Sequence, residues 1–280
     1  MNNFSFSQSS LQDFVDCQKR FELRYLLRIR WPGFVTDEPE EVRRSVILGN
    51  RFHLLCHQFF TGLPVDTIRQ SIDDEALLEW WNNFLTWRQD ALGEGQYLPE
   101  ITLHSHLAGR QVVAKFDLLQ VHGTGIRIYD WKTSPARPAR SWLEKKIQTT
   151  LYPLVLCLAG QNLSGDPTHY SPENIEMVYW FANHPRNPQI LSYSRYQFDE
   201  DRQYIEELIN QISNIPRGNF EMTEDQRLCR FCTYRSFCDR HPDPVLTGVD
   251  EENSFETALE NLAAAFENQL DQMPETWQNP

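Results

Sequence analysis

The stretch Ile126-Arg127-Ile128-Tyr129-Asp130-Trp131-Lys132 decides the reading of this chain. Its alternation predicts a strand. Side chains on a strand point to opposite faces in turn, so Asp130 and Lys132 project to the same side. An acid and a base two residues apart at a strand end can share one phosphate. The carboxylate can hold a divalent cation, and the ammonium can position an attacking water and offset charge on phosphorus. Alone, the pattern is very common and reads first as an exposed salt bridge on a hairpin. Just upstream, His122-Gly123-Thr124-Gly125 supplies turn chemistry. The antiparallel partner is then Lys115-Phe116-Asp117-Leu118-Leu119, which brings Asp117 into the same neighbourhood. Two adjacent carboxylates repel unless a cation sits between them. Mg²⁺ and Mn²⁺ favour such oxygen ligands.

Outward from this hairpin, residues 101–121 alternate as a strand, with room for one more before it. Upstream, three helices are predicted, over 9–30, 45–61 and 73–91. In the first, Ser9 and Gln12 fit a capping box, and Leu11, Phe14, Val15, Leu23 and Leu26 recur near helical spacing. Trp31-Pro32-Gly33 stops it. Trp80, Trp81 and Trp87 on the third helix read as core. Downstream come a Pro-containing loop at 135–138, a helix over 141–160, strands at 175–181 and 189–198, and a helix over 200–213. This order predicts a mixed α/β domain.

Composition bounds the function. The chain has 280 residues, 40% hydrophobic, with 8 Trp, 10 Tyr and 17 Phe, which excludes a disordered or fibrous protein. No run approaches the roughly 18 apolar residues that a membrane span needs. The start, MNNFSFSQSS, lacks the basic end and apolar run of a secretory signal. A cytoplasmic protein is expected, so its cysteines are thiols or metal ligands rather than disulfides. The net charge of −13 argues against a nucleic-acid partner, but it is unevenly spread. Asp250, Glu251, Glu252, Glu256, Glu260, Glu267, Asp271 and Glu275 lie in a tail from 248 that has no Lys or Arg. Bases cluster instead at Lys19–Arg30, Arg137–Lys146 and Arg227–Arg240. Clusters govern local phosphate contacts.

Further motifs complete a pattern. Gly49-Asn50-Arg51-Phe52-His53 puts a His four residues after a Gly, Glu100 precedes the strands, and Gln148 and Tyr152 share a helix face. With Ser7-Gln8-Ser9-Ser10-Leu11-Gln12-Asp13-Phe14 through Cys17 and Phe21, with Asp117, with Asp130-Trp131-Lys132-Thr133-Ser134 and with Gln148-Thr149-Thr150-Leu151-Tyr152, the chain resembles the RecB-like branch of the PD-(D/E)XK nuclease superfamily. That branch includes the RecB and AddB nuclease domains and the iron–sulfur nucleases of CRISPR adaptation. The resemblance spans roughly residues 5–240. It implies a restriction-endonuclease-like mixed sheet flanked by helices, with helical additions. By its roles, His53, Asp117, Asp130 and the Trp131 carbonyl bind Mg²⁺ or Mn²⁺, Lys132 is the catalytic lysine, and Gln148 and Tyr152 support the site or contact DNA. Glu100 matches loosely. Lys115 stands where these proteins often carry Arg, keeping the charge and losing the fork. His53-x-x-x-His57 lacks the Glu of a zinc-protease helix, so His57 reads as structural.

Cys229-x-x-Cys232-x₅-Cys238 offers three thiolates, and Cys17 is the natural fourth because the RecB-like families draw one cysteine from the N-terminal region. The resemblance implies a [4Fe–4S] cluster, although four thiolates also suit zinc. Cys56 and Cys157 read as buried small hydrophobes. The expectation is a nuclease domain over 1–247 and an acidic tail over 248–280. It is a metal-dependent deoxyribonuclease, an exonuclease on DNA ends or single strands, with repair or CRISPR-adaptation proteins as further partners. The alternatives are a nucleic-acid-binding scaffold of the same fold, which the net charge favours, and a zinc-stabilised interaction protein.

Overall fold

A computed structural model of the chain describes residues 4–29, 40–123, 125–163, 170–230 and 232–240. Among these, two compact units separate. The larger draws on Met1–Gln12 and Leu48–Ile215, and the smaller on Asp13–Ile47 and Pro216–Pro280. The predicted stop at Trp31-Pro32-Gly33 and the acidic tail from 248 lie outside the described residues.

The larger unit is built on a five-stranded sheet in the order β1-β2-β3-β4-β5. The strands are β1 (Gln96–Leu107), β2 (Arg110–His122), β3 (Gly125–Lys132), β4 (Ile175–Phe181) and β5 (Gln189–Ser192). The hairpin of β2 and β3 is as expected, with Leu118 opposite Tyr129, but the span 101–121 is divided between β1 and β2, which pair across a turn that joins Leu107 to Arg110. Strand β4 runs parallel to β3, with Asp130 beside Tyr179 and Lys132 beside Phe181. The parallel step requires a crossover, and two helices, α6 (Arg140–Leu143) and α7 (Ile147–Ala159), supply it. Pro99 is tolerated inside β1 because β1 is an edge strand, where a missing N–H breaks no ladder.

On one face, α3 (Glu40–Phe60) and α5 (Glu75–Ala91) bury Phe52, Trp80, Trp81 and Phe84 against Leu118, Tyr129, Trp131 and Trp180. Phe52 stacks on Trp180, and Phe84 meets Trp131 edge-on. The tryptophans are therefore core, as their spacing predicts. On the other face, α7 packs against β1, β2 and β4. Alternation along β3 sends Trp131 into the aromatic core, and Asp130 and Lys132 toward α7.

Several boundaries depart from the sequence reading. A short helix, α4 (Val65–Gln70), was not foreseen. The expected helix over 141–160 is two helices, because Lys146 is extended (ψ 140). The strand at 189 ends at Ser192, and α8 (Arg195–Asn214) begins soon after because Ser194 caps it, accepting from Gln197 N at 3.2 Å.

The helix expected over 9–30 is also broken. Helix α1 covers Gln8–Asp16, Cys17 is extended (φ −163, ψ 108), and α2 (Gln18–Phe21) follows. A π-helical turn over Glu22–Leu26 then closes with Leu27 N donating to Glu22 O at 2.8 Å. The cap of α1 is Ser7 with Ser10, not Ser9 with Gln12. Ser10 N donates to Ser7 Oγ, and Ser7 N to Ser10 Oγ. Gln12 is used elsewhere: its Oε1 accepts from Ile147 N at the start of α7. In the smaller unit, Phe14 and Phe21 pack on Phe220, and Lys19 N donates to Glu221 O.

Candidate active site

Asp117 on β2 is the hub of the site. Its Oδ2 accepts from Trp131 N at 2.8 Å, which ties it to the end of β3. Its Oδ1 lies 3.2 Å from His53 Nδ1 on α3, and His53 Nε2 lies 3.0 Å from the Trp131 carbonyl. A carboxylate and a carbonyl only accept, so these two contacts favour a ring that carries both protons. Burial opposes that charge, but Asp117, with support from Asp130 and Glu100, pushes the His53 pKa up to about 9. Burial likewise opposes the Asp117 charge. His53, the Trp131 amide and Lys132 nevertheless hold its carboxyl below the usual range.

Asp130 is the second buried carboxylate. Its Oδ1 accepts from Gln148 Nε2, and its Oδ2 lies 3.1 Å from Lys132 Nζ. Lys132 Nζ also donates to Gln148 Oε1 at 3.1 Å and sits 5.6 Å from the centroid of the Tyr179 ring. Burial pushes the Asp130 pKa up to about 6, with Lys132 pulling it down and Asp117 pushing it further up. The two buried carboxylates are thus pushed in opposite directions, Asp117 down and Asp130 up. Gln148 joins it as the sequence reading expects. Tyr152, one turn further along α7, is buried with its ring 5.1 Å from that of Phe116.

Glu100 is more closely involved than its sequence match implied. Ligand atoms of His53, Glu100 and Asp117 lie within 4.8 Å of one another, and Lys115 Nζ is 2.6 Å from Glu100 Oε2. Glu100 has φ +52 inside β1. A non-glycine residue there is strained by roughly 1–2 kcal/mol. Such strain within a strand has no local sequence signal. His57 is not part of this group.

The chain beyond Lys132 is pinned from two sides. Ala182 N donates to Lys132 O at 2.8 Å. Asn183 Nδ2 donates to the carbonyls of Thr133 and Ser134 at 3.0 and 2.9 Å, while its Oδ1 accepts from Trp80 Nε1. Sequence reasoning missed Asn183, because its partners come from the segment after β3 and from α5, far apart in sequence.

In the smaller unit, Cys17 sits at the break between α1 and α2, and Cys229 ends a short 3₁₀ turn over Gln226–Cys229. Burial pushes the Cys238 thiol up to about 11, and Cys232, Cys17 and Cys229 add to the rise. Cys229 and Cys232 are also pushed up, by burial first. Cys56, on α3, is buried as expected, and Cys157, on α7, is partly so.

Among curated proteins, no sequence matches this chain. The crystal structure of a candidate exonuclease from Eubacterium rectale is similar, with a TM-score of 0.50 and 12% identity over 79% of this chain and 85% of that one. A second crystal structure, of SSO0001, gives a TM-score of 0.46 and 12% identity over 85% of this chain and 88% of that one. A sequence model of the PD-(D/E)XK nuclease superfamily matches residues 5–239. That match takes in β2 with Asp117, β3 with Asp130 and Lys132, and the mixed sheet that carries them. The chain belongs to the PD-(D/E)XK nuclease superfamily, with its restriction-endonuclease-like fold.

Proposed function

We propose that this nuclease hydrolyses DNA phosphodiester bonds with Mg²⁺ or Mn²⁺, as an exonuclease on ends or single strands. The carrying observation is the convergence of Asp117, Asp130, Lys132 and His53 at the end of β3. The donor set suits a hard cation: carboxylates, a backbone carbonyl and one imidazole. His53, Asp117, Asp130 and the Trp131 carbonyl would hold it, with Glu100 in reach. When bound, the ion supplies Lewis-acid charge at the scissile phosphate.

The chain's own residues do the rest. Gln148 orients both Asp130 and Lys132. Lys132 Nζ donates to the attacking water or to a non-bridging phosphate oxygen. Water adds to phosphorus, one P–O ester bond breaks, and the leaving oxygen takes a proton. Arg137 and Lys145 near α6 and α7 track the backbone, whereas Lys146, expected to join them, is buried with its Nζ 3.9 Å from the centroid of the Trp142 ring. Digestion of end-labelled DNA with and without Mg²⁺ or Mn²⁺ tests this. Binding without cleavage would instead favour the scaffold reading.

We further infer a place in the RecB-like branch, acting in the cytoplasm in DNA repair, recombination or CRISPR adaptation, with a nuclease domain over 1–247 and an acidic modulating tail over 248–280. The four thiols of Cys17, Cys229, Cys232 and Cys238 suit a [4Fe–4S] cluster. Burial raises the pKa of the Cys229, Cys232 and Cys238 thiols, so a cationic group is what would keep them as thiolates. Such a cluster joins two segments of the smaller unit that are far apart in sequence. Iron and acid-labile sulfide in anaerobically purified protein support it, and stoichiometric zinc without iron opposes it.

A further inference from the structure

Beside the four thiols lies a buried charge network. Arg20, on α2, is 1% exposed and Arg24 is 4% exposed. Arg20 Nε is 2.7 Å from Asp13 Oδ1, Arg20 Nη2 is 2.6 Å from Asp16 Oδ2, and Arg24 Nη1 is 2.6 Å from Asp13 Oδ2. Two guanidiniums are thus matched by two carboxylates, and the network is close to neutral. A guanidinium cannot shed its charge, and its donors are expensive to leave unpaired once buried. Yet Arg20 Nη1 is buried and has no hydrogen-bond acceptor among the described residues.

The thiols stand next to this unspent donor. Cys17 directly precedes α2, with Phe21 N donating to Cys17 O at 3.2 Å, so Arg20 sits within one helical turn of that thiol, and Arg24 Cζ lies 5.9 Å from the centroid of the Tyr234 ring, two residues from Cys232. Four thiolates around a [4Fe–4S] core, or around zinc, carry net negative charge. They are the acceptor that a buried guanidinium lacks.

We propose that Arg20 is a positioning residue of the four-cysteine site, its buried Nη1 facing the thiolates as a fixed positive charge and hydrogen-bond donor. This rests on the reading of Cys17, Cys229, Cys232 and Cys238 as metal ligands. Asp13 and Asp16 orient the guanidinium. Hydrogen bonds and charge at the sulfurs set both the retention and the reduction potential of such a group. Removing them should make one-electron reduction harder and metal loss faster.

The test uses the full chain, reconstituted anaerobically, in three forms: parent, Arg20→Lys, and the double variant Arg20→Met with Asp16→Asn, which removes one charge of each sign. Iron and sulfide content, the midpoint potential by redox titration, and the rate of metal loss to a chelator are read for each. The double variant should lose metal about tenfold faster or more and show a lower potential than the parent. Arg20→Lys keeps the charge without the fork and should fall between them. Potentials and loss rates equal to the parent's in whichever variant folds and loads would overturn the proposal. A parent that loads zinc sinks the iron–sulfur reading alone, and zinc loss then tests Arg20 by the same comparison. A parent that holds no metal sinks both.

Discussion

His53 Nδ1 and Asp117 Oδ1 lie 3.2 Å apart, joining α3 to β2 at the point where Asp117 also accepts the Trp131 amide. The pair gives the site a defined pH response. The folded pKa of His53 is raised to about 9 from an ordinary 6.5, by Asp117 against the opposing effect of burial. Its contribution to stability is therefore complete below about pH 6.5 and is lost as pH rises through 9. A metal must displace that proton. Mn²⁺ affinity should rise with pH between 6.5 and 9, by up to about tenfold per unit, and level off above. Calorimetric titration at several pH values checks this, and a flat profile between 7 and 9 removes His53 from the ligand set.

The two carboxylates and the lysine should fail differently. Asp117→Asn or Asp130→Asn should weaken Mn²⁺ binding and abolish cleavage while leaving DNA binding largely intact. Lys132→Ala should keep the metal and lose roughly 10²-fold or more in rate, the loss expected for one electrostatic donor. If Lys132→Ala and Asp130→Asn digest labelled DNA as fast as the parent, the end of β3 is not the active site.

Glu100 offers a trade of stability against activity. At φ +52 its backbone is strained, and glycine adopts that geometry freely. Glu100→Gly should release part of the strain, up to about 1 kcal/mol, and raise the melting temperature. It should also weaken metal binding, since the carboxylate lies with His53 and Asp117. Glu100→Gln separates the effects: it keeps the strain and loses the charge. A glycine variant that is less stable than the glutamine variant would contradict this account.

Asp201 provides a pH effect away from the site. Burial pushes its carboxyl up to about 6 from an ordinary 3.8, against the hydrogen bond from Gln197 Nε2 at 2.8 Å. Between pH 3.8 and 6 the folded chain keeps a proton that the unfolded chain has released. Stability therefore falls as pH rises through this window, and the full penalty stands above it. Asp201→Asn should be more stable than the parent at pH 7.5 by about 1–2 kcal/mol and near parity at pH 4. Denaturant unfolding at both values measures it, and equal gaps at the two pH values refute it.

What the sequence discloses follows from how local each signal is. Asp130 and Lys132 are legible from strand alternation alone, and Asp117 from the hairpin. His53 is 64 residues from Asp117, so only the resemblance to a family pattern brings them together. The break at Cys17 is hidden because Leu23 and Leu26 keep the helical period across it, and the tertiary hydrogen bond from Lys19 N to Glu221 O lies outside any local pattern. Ser194 could have marked the start of α8, since its side chain caps from a position that a strand reading had absorbed. Glu100 was legible only as a loose match, since its place depends on a strained backbone angle, and Asn183 was illegible because its partners come from the segment after β3 and from α5.

Gly49 ties the sequence motif to the geometry. It is buried on α3, one turn before His53, and a Cβ built on it would come 2.9 Å from Thr133 Oγ1. Thr133 follows Lys132 directly. The absence of a side chain at 49 therefore sets how closely α3 approaches the strand end, and so where His53 meets Asp117 and the Trp131 carbonyl. Alanine is the better helix former, by about 1 kcal/mol. Gly49→Ala should thus fold with little net change in stability, because the propensity gain offsets the clash. The clash must instead move α3 or rotate Thr133. Mn²⁺ binding and cleavage should both weaken, through His53 rather than through Lys132. Thr133→Ala removes the opposing oxygen and should restore most of both in the Gly49→Ala background. The two substitutions are then non-additive, as contacting residues are. If Gly49→Ala cuts DNA at the parent rate, or if Thr133→Ala fails to rescue it, the close approach at Gly49 does not govern the metal site.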